Sequence, residues 1–71
     1  MNENELLKRI RIQLGFTQKA FGKRLKVSQG AVSHWERGVS YPSVPVADKI
    51  VKMAEKKGFS YTTRHLRGGH G

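Results

Sequence analysis

The chain has 71 residues and no cysteine, with fourteen lysines and arginines against five acidic residues and a formal net charge of +9. That length gives one modest core and no separate catalytic domain, while His34, His65 and His70 lack the spacing of a metal site, so no metal or other cofactor is expected. The charge asks for a polyanion, nucleic acid before an anionic membrane, and the polar opening from Met1 to Glu5 with only short apolar runs predicts a soluble, cytoplasmic protein without a membrane span.

Leu6, Leu7, Ile10 and Leu14 recur at helical spacing, and Asn2 and Glu5 stand as in a capping box. A first helix is predicted from about Glu3 to Leu14, stopped by Gly15. Thr17 is a natural N-cap for a short second helix, Gln18 to Leu25, in which Phe21 and Leu25 lie one turn apart. After Lys26 and Val27, Ser28 caps a third helix from Gln29 to Arg37, with Ala31, Val32 and Trp35 on one face and Gly38 as its stop. Trp35 at this spacing reads as core rather than as a platform for stacked bases. Pro42 disfavours helix at Tyr41, and Ser43 can cap a fourth helix that tolerates Pro45 in its first turn and runs to about Lys57. Its stripe is Ala47, Ile50, Val51 and Ala54, and Lys49, Lys52 and Lys56 fall opposite as a solvated face.

Beyond Gly58, residues Phe59 to Thr63 are compatible with a short strand, a loop or one helical turn. From Arg64 the chain is basic and glycine-rich, the composition of a flexible tail. The expected architecture is all-α, a compact bundle of four to five short helices, with a short C-terminal strand as one alternative for its end. It occupies residues 1–63, followed by the tail 64–71.

The informative feature is the pair of short helices joined by a turn of about three residues, from Gln18 to Arg37. A steep, close crossing needs a small residue, which Gly22 supplies, and Val27, Val32 and Trp35 complete the apolar seam. What is left outward on the third helix is Gln29, Gly30, Ser33, His34 and Arg37, side chains suited to base edges and small near the helix start. Gln29 can read adenine through N6 and N7. The N-termini of helices two and three present N–H groups to phosphate. Ser40 and Tyr41 can reach the DNA backbone, and Lys19, Lys23, Lys26 and Arg37 add attraction without reading sequence.

The segment Gln18 to Arg37 resembles the helix-turn-helix of the Cro and repressor proteins of lambdoid phages, the wider XRE-type family. The stretch from Arg11 to Gln18 also resembles the end of helix one and the opening of helix two in those repressors, so the likeness covers roughly Leu6 to Ala54. Lys26 departs from the glycine that the family often has in the turn, at a cost of roughly 1 kcal/mol for a left-handed backbone. The resemblance implies that Gln18 and Ser28 bond phosphates, that Gln29, Gly30 and His34 face base edges, and that Arg11 pairs with Glu36 across helices one and three.

It further implies a sequence-specific regulator of bacterial or phage origin that binds double-stranded DNA at a palindromic operator, a Cro-like repressor without enzymatic activity or a small-molecule ligand. One recognition helix reads few base pairs, so a homodimer is expected, at least on DNA. Phe59, Tyr61 and Leu66, in excess of what a small core needs, are its expected interface. The rival readings are an antitoxin-type autoregulator with a toxin partner and a protein-interaction module with little DNA binding.

Overall fold

Four helices follow one another in the computed structural model, which describes residues 3–61 and residue 66: α1 (Glu3–Gln13), α2 (Gln18–Leu25), α3 (Gln29–Glu36) and α4 (Val44–Lys56). No strand occurs among the described residues, and no helix is long and apolar enough to cross a membrane. The helices start and stop within a residue or two of the positions that caps and glycines dictate. Gly15 ends α1 with φ +84°, and a Cβ there would meet no other atom within 4 Å, so it is the backbone conformation alone that asks for glycine. Asn2, the expected cap of α1, lies outside the described residues.

One expected cap is not made. Ser43 has the extended backbone of an N-cap, but its side chain bonds no helical N–H. Pro45 occupies one of the two positions whose N–H a capping hydroxyl normally engages, and proline has no N–H to give.

Leu7, Ile10 and Leu14 of α1 and its exit, Phe21 and Leu25 of α2, Val32 and Trp35 of α3, and Ala47, Ile50 and Val51 of α4 form one core. Each large member removed from water contributes roughly 1.5 to 3 kcal/mol, which for a chain this short is a substantial share of all that opposes unfolding. Trp35 is buried, as its spacing predicted, and Lys49, Lys52 and Lys56 are exposed on the opposite side of α4 from its apolar stripe.

Phe59 to Tyr61 form neither strand nor helix, which leaves the loop among the three alternatives, while residues 62 and 63 lie outside the description. Leu66 is helical and fully buried in the core. The core thus draws on a residue that composition assigned to the tail. Leu66 is therefore not surplus apolar surface, as the dimer expectation assumed. Tyr61 is half-buried against the same core, and its hydroxyl donates to Gln13 Oε1 at 2.9 Å, tying the segment after α4 to α1.

Candidate nucleic-acid interface

The relation between α2 and α3 is set by a turn with little freedom. Thr17 Oγ1 accepts from the Ala20 N–H at 3.0 Å, and Ser28 Oγ accepts from the Ala31 N–H at 3.0 Å, so each helix opens on a hydroxyl cap. Between them Lys26 takes the left-handed conformation, φ 62° and ψ 40°, with its N–H turned back toward the last carbonyls of α2. Val27 N–H donates to Gly22 O at 2.8 Å. A Cβ on Gly22 would stand 2.9 Å from Val27 O and 3.1 Å from Ser28 O. The close approach that glycine permits is therefore to the backbone of the turn and of the α3 cap, rather than to the body of α3.

With Val32 and Trp35 sunk in the core, α3 turns its other side to solvent. Gln29, Gly30, His34 and Arg37 are exposed and Ser33 is half-buried, so the five residues expected to face DNA share an accessible face. Ser28, Lys19, Lys23 and Lys26 are exposed as well. A Cβ on Gly30 would meet only Ser28 Oγ, at 3.7 Å, an ordinary contact. Nothing among the described residues requires that position to be small.

The chain leaving α3 folds back on the helix end, where His34 O accepts from the N–H groups of Val39 at 2.9 Å and Ser40 at 3.4 Å. Ser40 and Tyr41 are thereby held next to the third helix, Ser40 half-buried and Tyr41 exposed. Val39 on this connection and Val44 at the first position of α4, which sequence reasoning did not single out, are 64% and 51% exposed. A valine on a connecting loop has no period to mark it as inward or outward, so no pattern could have flagged Val39.

Arg11 and Glu36 are paired: Arg11 Nε donates to Glu36 Oε2 at 2.6 Å, and Nη1 donates to Phe16 O at 2.6 Å. Gln18 joins them, its Nε2 donating to Glu36 Oε1 at 3.1 Å. The carboxylate fixes the amide orientation, since only the nitrogen can face it. One Gln18 hydrogen is thus committed inside the protein, leaving the second Nε2 hydrogen and the backbone N–H at the start of α2 for a phosphate. The network ties the exit of α1, the start of α2 and the end of α3 together, which holds the exposed face of α3 in a fixed attitude.

The expected base-reading residues therefore share the outward face of α3, whereas Tyr61 and Leu66 pack with the core. A family model described as helix-turn-helix matches residues 7–60. No curated protein and no solved structure gives a match. Capped short helices, a tight left-handed turn, a buried Val32 and Trp35 and this match over most of the chain place the protein in the XRE-type helix-turn-helix family, as a DNA-binding transcriptional regulator.

Proposed function

We propose that the protein is a Cro-like repressor, acting in the cytoplasm of a bacterial cell, that occupies a palindromic operator as a homodimer and excludes polymerase by occupancy. The observation that supports this best is the exposed face of α3, where Gln29, Gly30 and His34 stand outward while Val32 and Trp35 anchor the helix in the core. In this reading Gln29, Gly30, Ser33 and His34 meet base edges. Ser28, Gln18, Ser40 and Tyr41 bond phosphates, and Lys19, Lys23, Lys26 and Arg37 supply the salt-dependent attraction. No enzymatic step is part of this role.

A single module buries limited area on DNA, and pairing across a two-fold axis doubles the bases read. Since Leu66 is used by the core, Phe59 and Tyr61 remain from the interface first expected, each half-buried. The exposed Val39, Tyr41 and Val44 add apolar surface next to the recognition helix.

Selection of bound sequences from a random duplex pool tests the reading. An inverted repeat with half-sites about 34 Å apart is expected, with sedimentation showing two protein chains per duplex. Full specificity on an isolated half-site at one chain per duplex rejects the dimer. Failure to enrich any sequence rejects the repressor in favour of a protein-interaction module.

A further inference from the structure

A cleft of about 190 Å³ opens where the exit of α1, the α2 helix and the end of α4 meet, lined by Leu14, Phe16, Arg24, Met53, Lys56 and Lys57. Its floor is apolar: Leu14 is buried, and Phe16 and Met53 are half-buried against the core. Its rim is cationic, because Arg24, Lys56 and Lys57 are all exposed. None of the three has an ion-pair partner among the described residues, although acidic side chains are paired elsewhere, Glu36 with Arg11 and Asp48 with Lys52. Three cations with no acidic partner among the described residues, set around an apolar floor, favour an occupant that brings both carboxylates and an apolar group.

We propose that this cleft docks an acidic segment of a partner protein, which inserts one large apolar side chain between Arg24, Lys56 and Lys57. Size selects this occupant over a free small molecule. Sites for drug-sized ligands run to roughly 300 to 1,000 Å³, whereas a cavity of about 150 Å³ holds a single benzene ring. The cleft therefore takes one aromatic or leucine-like side chain and leaves the rest of the occupant outside, where flanking carboxylates meet the rim. Charge complementarity steers the encounter, and the apolar anchor supplies what a bare polyanion lacks. A DNA phosphate satisfies the rim but has nothing for Leu14, Phe16 and Met53. The cleft also shares no residue with the outward face of α3, so a partner here can be held while the duplex is bound.

The probe is a synthetic nonapeptide with one central phenylalanine flanked by aspartates, titrated into the 15N-labelled full chain. Salt at about 0.15 M screens charges beyond roughly 8 Å. Amide shifts confined to the lining residues and their neighbours are expected. Replacing the phenylalanine by serine should weaken binding about tenfold or more, by losing the buried anchor. The double variant Arg24→Glu with Lys57→Glu, both exposed, should weaken the phenylalanine peptide by a similar factor through like-charge repulsion while retaining its melting midpoint and its choice of duplex sequence. The proposal is overturned by no binding at millimolar peptide, by equal binding of the serine peptide, by shifts centred on Gln29 to Arg37, by phenylacetate binding as tightly as the peptide, or by loss of duplex selectivity in the double variant.

Discussion

Arg11 and Glu36, 25 positions apart, meet as a nearly buried pair with Nε 2.6 Å from Oε2 and side chains only 11% and 7% exposed. Water screens such a pair poorly, and each partner left alone keeps a desolvated charge. Glu36→Ala strands Arg11 and frees Gln18, and should cost about 3 to 5 kcal/mol. Since 1 kcal/mol moves the midpoint of a domain this size by roughly 4 to 8 °C, a fall of more than about 10 °C is expected in thermal denaturation. Exchanging both partners together, Arg11→Met with Glu36→Leu, should recover most of that loss. A double-mutant cycle with no coupling would show that the geometry carries no energy.

Two glycines separate folding from recognition. Alanine at Gly22 gains helix propensity of about 1 kcal/mol but pushes a Cβ onto the backbone oxygen of Val27 at 2.9 Å, and overpacking of roughly 1 to 3 kcal/mol outweighs the gain. Gly22→Ala should lower stability in urea unfolding and, by displacing the start of α3, lower duplex affinity as well. Gly30→Ala meets no obstacle in the protein and should leave stability unchanged or raised by up to about 1 kcal/mol. If α3 lies close in the major groove, the same change weakens operator binding. Undiminished operator affinity of Gly30→Ala would contradict that close approach.

Lys26 holds φ 62° at a cost of roughly 1 to 2 kcal/mol, partly offset for a glycine by the extra freedom of its unfolded chain. Lys26→Gly should therefore stabilise the protein by about 0.5 to 1 kcal/mol in chemical denaturation. It should simultaneously weaken every duplex alike and lower the slope of log affinity against log salt by about one unit if the side chain meets a phosphate. A loss restricted to the preferred site would identify Lys26 as a reader of sequence.

Gln29 should behave in the opposite way. Gln29→Ala is expected to cost about 1 to 3 kcal/mol on the preferred operator and to relax choice at one base position, with random DNA hardly affected. Equal affinities of the variant and the parent for both duplexes, in a fluorescence-anisotropy titration, would remove Gln29 from the reading surface.

Hydroxyl caps that are made should be distinguishable from one that is not. Thr17→Ala and Ser28→Ala each delete a 3.0 Å bond to a helical N–H and should cost about 1 kcal/mol apiece. Ser43 makes no such bond, and Ser43→Ala should stay within about 0.5 kcal/mol of the parent. A larger effect at Ser43 than at Ser28 would reverse the assignment.

What the sequence by itself determined is local: the four helices, the positions of Thr17 and Ser28 as caps, the stops at Gly15, Gly38 and Gly58, and the inward face of α4. A cap, a stop and an amphipathic stripe each depend on atoms within about a turn of one another, and the order of residues specifies that neighbourhood directly. The outward set on α3 was legible for the same reason, as what remains once Val32 and Trp35 are turned inward. The pairing of Arg11 with Glu36 was implied by family resemblance, but only the tertiary structure brought Gln18 and Phe16 O into the same network. It also decided that Gly22 makes room for the backbone of the turn, that Ser43 bonds nothing, and that Leu66 completes the core. The physical reason is that these outcomes depend on which polar atoms and which volume remain after distant segments have packed, and hydrophobic periodicity carries no information about either.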